Sequence, residues 1–551
     1  MALKDPEIPR HLWLVMMSAA ICSVADITGY YLSHDAGWWP VAGVICFALC
    51  KGSVIALGLT LARRWAPAYV AAWVVAALFI ALSVTNVATY LLYGFGISRK
   101  LLMILYETNS SEVRQFMPGL IENLLSAPAD WRFWIAAVAF AALWWVVPKI
   151  PARWWYASTG IVGVVGIAYF GWVAATAEWG KSNHAILARS GLAVKSVAKS
   201  IMTIRQLSSM QRPLPYAESA RSQRLANNLV LVIGESASRD HHSLYGYPLP
   251  TTPQMTSMAD SLVIFHDAVA SSTATAENLP RILSFMNCEP ESGEWYEYPT
   301  MPSLFKAFGY TTWWLSNQER TGEWSNLSGI LSSDADVVKY LGSTDSEDHL
   351  NQCYDEVLLP ELRGALDTAT ESRFICLHLL GSHTAYRERY PTGRGRITAT
   401  DVMSIHPKRE WLDEGRSRIV AQYDNSILYT DSILSEIIKD LSLRAEPSLM
   451  VYFSDHGENV YDDRDFRGRD PKYVRVPFII YANRSYRENN PEIMAALQSA
   501  NRQAFSTADV IHMLVTLSGS SYRIYDTRCD ILSPQFRRRV RYVDGEPFHP
   551  D

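Results

Sequence analysis

Neither sign of charge is in excess in this sequence. Its 551 residues carry 50 Lys and Arg against 55 Asp and Glu, a formal net charge of −5, which excludes a dedicated nucleic-acid binder. Internal repeats and low-complexity segments are absent, which leaves no repeat architecture to consider, and no cofactor-binding motif is found. Cysteine is sparse: Cys22, Cys46 and Cys50 fall in apolar stretches, and Cys288, Cys353, Cys376 and Cys529 lie downstream. Spacing alone does not say which of the latter four pair. Cys376 sits in an apolar run and reads as simply buried.

What is present divides the chain in two. Before about residue 177 it is dominated by apolar stretches near 11–32, 38–62, 66–93, 130–148 and 154–176, each long enough to cross a bilayer at roughly 20 residues per span. The first is too long and too polar at its far end for a cleaved signal peptide. Lys4 and Arg10 precede the first span, Arg63 and Arg64 join the second to the third, and Lys149 and Arg153 join the fourth to the fifth. These basic groups share one side, so the positive-inside rule places the N-terminus in the cytoplasm and residues 177–551 across the membrane. Asp26 and Lys51 are charges inside spans, read as a pair holding the first two together. Residues 177–215 carry Ile186, Leu187, Val194, Val197, Ile201 and Ile204 at helical spacing, with Lys195, Lys199 and Arg205 between them. That pattern suits an amphipathic helix on the membrane surface or a linker helix packed on the next domain. Two prolines in "QRPLPYAESA" end it.

From about residue 226 apolar strands alternate with helical stretches. The strands read as 228–234, 261–269, 311–316, 373–381, 448–454 and 476–482, and the helices include 418–443 and 505–517. This is the signature of a mainly parallel sheet covered by helices on both faces. In such sheets ligands bind beyond the carboxyl ends of the strands. There the sequence offers Glu235 in "GESASRD", His383 in "GSH", Asp455 and His456 in "SDHGE", and a hydroxyl-rich turn, "STAT", entering a helix. Taken singly, each is an ordinary helix-terminal acid, surface histidine or N-cap. Their coincidence at one edge points to chemistry. Carboxylates and imidazole suit zinc with an open position. A metal beside a Ser or Thr hydroxyl points to phosphoryl or sulfuryl transfer.

At these residues the sequence resembles the alkaline phosphatase/sulfatase superfamily, and within it the membrane-bound phosphoethanolamine transferases. "GES" (234–236), "TTP" (251–253), "TATA" (273–276), "LGSH" (380–383) and "SDHGE" (454–458) follow that family's order, and the resemblance covers nearly the whole chain. It implies a fold with five transmembrane helices followed by an α/β alkaline-phosphatase/sulfatase-like domain. The corresponding boundaries are a membrane domain at 1–176, an amphipathic bridge and linker at 177–215, and a periplasmic catalytic domain at 216–551. It further implies Thr275 as nucleophile, and Glu235, Thr275, Asp455 and His456 as ligands of a catalytic zinc ion. His383 matches a histidine that contacts the phosphoryl group or a second metal, His378 matches its companion, and one or other of them would carry protons. "ETNSSE" (107–112), in the loop between the third and fourth spans, resembles the family's "TNxxE" segment, and would bring Thr108, Asn109 and Glu112 to the donor headgroup.

Several positions depart from the family pattern. Ser271 and Arg281 stand where members acting on lipid A carry cysteines around the nucleophile turn, Cys353 lacks its nearby upstream partner, and Ile104 replaces an Asn before "TNxxE". Arg467 and Arg469 stand where a histidine is expected after "SDHGE". These departures point to a disulfide-poor branch acting on core sugars or glucans rather than lipid A.

The expectation is therefore a zinc-dependent transferase of a bacterial inner membrane. Its donor is phosphatidylethanolamine, its acceptor a lipopolysaccharide core or periplasmic glucan, and nucleic acid is no partner. A glycerol-phosphate transferase or phosphodiesterase shares the metal logic but not "TNxxE". A sulfatase needs a Cys/Ser-x-Pro-x-Arg turn, and in "ENLPR" Glu277 stands where the nucleophile would be. A non-catalytic membrane sensor would be expected to have lost one of the four site residues, and none is lost.

Overall fold

The computed structural model describes residues 214–286, 293–319, 327–342, 354–407, 409, 411–462, 471–537 and 540–548, with a helix at 190–199 and scattered positions between 65 and 202. Four of the five expected spans, the loop with Thr108, Asn109 and Glu112, and Cys288 and Cys353 lie outside the described residues. The third contributes helical positions between 66 and 85, and among the described residues no helix is long and apolar enough to cross a membrane. The chain divides into two compact units, Met1–Ser200 and Ile201–Asp551. In the first, the 190–199 helix buries Ser190, Ala193 and Val197 and exposes Leu192 and Val194.

The second unit is built on a seven-stranded sheet. Its strands are β1 (Asn228–Gly234), β2 (Leu262–Ile264), β3 (Thr311–Glu319), β4 (Val337–Gly342), β5 (Arg373–His378), β6 (Ser448–Ser454) and β7 (Phe478–Ala482), in the order β2-β7-β6-β1-β5-β3-β4. β7 runs antiparallel to both β2 and β6, so the sheet is mixed, though mainly parallel. The central strands are buried along their whole length, as continuous apolar runs covered on both faces should be. Side chains alternate between two cores. Leu229, Leu231 and Ile233 join Phe374, Val451 and Phe453 on one face, while Val230 and Val232 join Ile375, Met450 and Tyr452 on the other. Each contributes on the order of 1.5–3 kcal/mol by leaving water, so the middle of the sheet is a stiff platform.

Helices α2 (Met301–Ala307) and α5 (Val510–Leu517) pack on the first face, and α3 (Leu358–Leu366) and α4 (Glu414–Ser442) on the second. α1 (Thr275–Ile282) carries the hydroxyl-rich turn at its start. α4 begins before the expected residue 418 because the Asp413 side chain caps it, accepting from the Arg416 amide. The expected strand 261–269 is broken at His266 and Asp267. Its first part is β2, and its second, Ala268–Val269, pairs in parallel with Phe505–Ser506, which shortens the expected 505–517 helix to Val510–Leu517.

Register decides what the sheet can do. Gly234 pairs with Ser454, Ile233 with His378, and Ser316 with His378, so β1, β6, β5 and β3 come level near their carboxyl ends. Whatever follows those strands converges.

Candidate active site

Glu235 follows Gly234 directly, and Asp455 and His456 follow Ser454. Thr275 is the first residue of α1, so its hydroxyl stands at a helix N-terminus, where amides lack intrahelical partners. The Thr275 hydroxyl donates to the Glu235 carboxylate at 3.1 and 3.2 Å and lies 3.4 Å from His456 Nε2. His456 Nε2 is in turn 3.4 Å from Glu235 Oε1 and 3.7 Å from Asp455 Oδ2. Asp455 Oδ1 accepts from the Ser236 and His456 amides at 3.1 and 2.7 Å. Two glycines allow this crowding. Gly381 has φ +53°, and a Cβ there would meet the Glu235 backbone at 2.8 Å, while a Cβ on Gly457 would collide with the Lys472 carbonyl.

The chemistry of the four groups fits a divalent cation. His456 Nδ1 lies 2.7 Å from the Gly457 carbonyl, so the ring donates there and leaves Nε2 to face the carboxylates, where a cation could replace its proton. Asp455 Oδ2 is buried without a hydrogen-bond partner, and atoms of Glu235, Asp455 and His456 lie within 4.8 Å of one another. Electrostatics agree. Burial alone would raise Glu235, but the hydrogen bond and charge of His456 bring it down to about 2. Burial would lower His456, yet Asp455 and Glu235 raise it to about 10. Asp455 is pushed up to about 7 by burial and by the Glu235 charge. Two buried carboxylates therefore share one imidazolium, and the surplus negative charge suits a metal.

The two remaining histidines differ. His378 ends β5, 2% exposed, with its ring tilted against Trp314 at 5.6 Å, Nδ1 3.5 Å from Ser316 Oγ, and Nε2 unpartnered. Burial lowers its pKa to about 4, so the ring is neutral and makes no hydrogen bond to the four converging residues. His383 is half-buried in the turn after β5, near enough to Glu235 to interact with it electrostatically. Asp355 pins that turn, accepting from the Leu380 and Gly381 amides at 2.8 and 2.9 Å.

Sequence reasoning missed Gln318. The expected strand stopped at 316, but β3 runs to Glu319, and Gln318 donates to the Leu379 carbonyl at 2.9 Å with its amide 3.5 Å from Glu235 Oε2. It also missed His241, whose Nδ1 lies 2.7 Å from Asp424 and Nε2 3.1 Å from Asp462. Arg409 adds an ion pair to Asp462 at 3.2 Å. Burial would lower His241, but the two carboxylates outweigh it and raise it to about 10. A raised cation stabilises the fold fully below its unfolded pKa of about 6.5 and loses that contribution as pH rises through the folded value. The melting temperature of the wild-type chain should therefore fall between about pH 6.5 and 10 relative to that of His241→Gln, as read by calorimetry. A pH-independent difference would show that the ring is not charged in the fold.

A second group, Asp509, His512 and Cys529, also clusters among the described residues. His512 Nδ1 accepts from the Asp526 amide at 3.2 Å, which puts the ring proton on Nε2 and leaves no lone pair for a metal. Cys376 and Cys529 are both buried.

Comparison with known proteins places this geometry. The sulfatase family matches residues 227–520. Phosphoethanolamine transferase EptC of Escherichia coli is 27% identical over 513 residues, covering 85% of this chain and 83% of that protein. The crystal structure of the C-terminal periplasmic domain of that Escherichia coli protein, in complex with Zn, superposes with a TM-score of 0.55 at 29% identity, over 60% of this chain and 94% of the domain. The integral membrane lipooligosaccharide phosphoethanolamine transferase A from Neisseria meningitidis shares the fold over 94% of this chain and 98% of its own, with a TM-score of 0.66 at 18% identity.

Proposed function

The chain belongs to the sulfatase family and, within it, to the phosphoethanolamine transferases, and from that premise we propose that it moves phosphoethanolamine from phosphatidylethanolamine to a lipopolysaccharide core or periplasmic glucan by way of Thr275. The observation that carries this reading is the Thr275 hydroxyl set 3.1 Å from Glu235 and 3.4 Å from His456, beside the unpartnered Asp455 oxygen. Residues 1–176 would embed in the inner membrane, 177–215 would bridge, and 216–551 would work in the periplasm. A lipid donor gives the membrane half its purpose.

Zinc held by Glu235, Asp455, His456 and the Thr275 oxygen would lower the pKa of that hydroxyl and offset charge on the phosphoryl oxygens. Thr275 Oγ attacks the donor phosphorus as the bond to the diacylglycerol oxygen breaks, and the proton that Thr275 gives up passes by way of His383 to that oxygen, so that diacylglycerol leaves neutral. The phosphoethanolamine is then esterified to Thr275. In the second half, His383 takes the acceptor hydroxyl's proton as that oxygen displaces Thr275. His378, neutral and enclosed, supports the β5 end from which that turn departs. Incubating the full-length chain with phosphatidylethanolamine should release diacylglycerol, detected by mass spectrometry, and no release would overturn the reading. Profiles of surface glycolipids and periplasmic glucans with and without the gene would identify the acceptor.

In this proposal Glu112 faces the donor's ammonium, with Thr108 and Asn109 on its phosphate side. An ammonium needs a carboxylate or aromatic partner, and "YETNSSE" supplies both. Glu112→Ala in the full chain should lower transfer from phosphatidylethanolamine by about tenfold or more, the scale of a lost charge-assisted contact. Hydrolysis of a small soluble phosphodiester by the same variant should be unchanged. Equal loss of both activities would remove the loop from headgroup recognition.

A further inference from the structure

The helix that presents Thr275 is poorly equipped to hold itself. α1 has eight residues, its N-cap Ala274 supplies no capping side chain, and Pro280 inside it has no amide to donate to the Ala276 carbonyl. The preceding turn, 271–274, has no regular secondary structure of its own. Yet a nucleophile has to be held closely, since a misplacement of about 1 Å can cost about 10²-fold in rate.

Two side chains supply the missing restraint. Asn278, fully buried within α1, reaches back across the turn. Its Oδ1 accepts from the Ser271 amide at 3.1 Å, the Ser271 hydroxyl at 2.8 Å and the Ser272 amide at 3.0 Å. Its Nδ2 donates to the Ser272 and Ala274 carbonyls at 2.8 and 3.1 Å. Both amide protons are used and the oxygen is shared three ways, so the whole hydrogen-bonding capacity of the side chain goes to the segment entering Thr275.

The second restraint comes from the far end of the sequence. Asp544 lies at the turn of a hairpin, Tyr542–Val543 paired with Glu546–Pro547, and both Asp544 (φ 51°) and Gly545 (φ 81°) are left-handed. That is the Asp-Gly turn which matches strand twist in a two-residue hairpin. Asp544 Oδ1 accepts from the Ser272 hydroxyl at 2.5 Å, and its amide donates to the Ser271 carbonyl at 3.0 Å. The hairpin is itself anchored, because Arg541 donates to the Asp267 carboxylate at 2.6 Å and to its carbonyl at 3.1 Å.

We propose that Asn278 and Asp544 form a hydrogen-bonded clamp that fixes the Thr275 turn for attack, making the C-terminal hairpin a positioning element for the transfer step. The clamp rests on the reading of Thr275 as nucleophile. Neither residue touches the reacting atoms; both act through residues 271–274.

The test uses the full-length chain and reads the rate of Thr275 adduct formation from phosphatidylethanolamine by rapid-quench intact mass, alongside KM, zinc content and melting temperature. Asn278→Ala and Asp544→Ala should each slow adduct formation by about tenfold or more, as expected for misplacement of a reacting group. KM should stay within about twofold, since donor binding is not disturbed. Ser272→Ala combined with Asp544→Ala should be no slower than the slower single variant, because both remove the same bond. Asp544→Asn keeps an accepting oxygen and should restore near-wild-type rates, which separates the clamp from a general effect of altering the C-terminus. Should Asn278→Ala not fold, the Ser272 and Asp544 series decides alone. Wild-type rates in Asp544→Ala, or rate losses that multiply in the double variant, overturn the clamp while leaving Thr275 as nucleophile. Absence of any adduct on Thr275 in the wild-type chain overturns the transfer reading, and the clamp with it.

Discussion

Thr275→Ala should reduce transfer by on the order of 10³-fold or more while leaving the chain folded and its metal in place. The reason lies in how the hydroxyl is embedded. It is half-buried and donates to Glu235, but Glu235 keeps a second partner in the Ser236 hydroxyl at 2.9 Å. His456 keeps its Gly457 bond. Removing one hydroxyl and one methyl from such a position costs stability on the order of 1 kcal/mol, because no buried charge loses its only partner. The covalent step has no substitute, since no other hydroxyl is seen to hydrogen-bond both Glu235 and His456 among the described residues. Intact-mass measurement after incubation with phosphatidylethanolamine reads the outcome, and elemental analysis confirms the zinc. A phosphoethanolamine adduct that persists on the Ala variant assigns the nucleophile elsewhere.

Much of the site's frame was legible because parallel strands with both faces covered are long apolar runs. Residues 228–234 and 448–454 were read to the residue, and with them the positions of Glu235, Asp455 and His456. Legibility failed where burial is partial. β4 is nowhere fully buried and includes the exposed Lys339, so its pattern carries no strong period. β3 ends in polar residues that masked its last turn of register and hid Gln318. It failed again where partners are remote. Nothing in the spacing of residues ties His241 to Asp424, 183 positions on, or Ser272 to Asp544, 272 positions on. The residues themselves offered only a hydroxyl-rich turn at 272–275, and the choice of Thr275 within it came from family resemblance. The structure then sets that hydroxyl against both Glu235 and His456. The antiparallel direction of β7 was also hidden, because an apolar run looks the same in either direction.

Asp455 offers the sharpest test of the metal, because its two oxygens have different duties. Oδ1 accepts from the Ser236 and His456 amides and so holds the β1 and β6 turns together, while Oδ2 is buried with no hydrogen-bond partner among the described residues, 3.7 Å from His456 Nε2. Asp455→Ala removes both duties and confounds them. Asp455→Asn separates them: its carbonyl oxygen can still accept from the two amides, but an NH₂ group replaces Oδ2 and has no lone pair to give a cation. The Asn variant should therefore remain folded and lose most of its zinc, with transfer falling by about 10²-fold or more, the upper end of what metal-site losses cost. Wild-type protein should gain thermal stability when zinc is added, by about 2.7 kcal/mol at a hundredfold excess over the dissociation constant, and the Asn variant should gain almost none. Burial and the Glu235 charge push Asp455 up to about 7, which is the electrostatic cost that a cation would offset and a neutral amide avoids. The metal-free Asn variant should thus be no less stable than metal-free wild type. Full zinc occupancy in Asp455→Asn, by elemental analysis, would show that Oδ2 serves some purpose other than coordination.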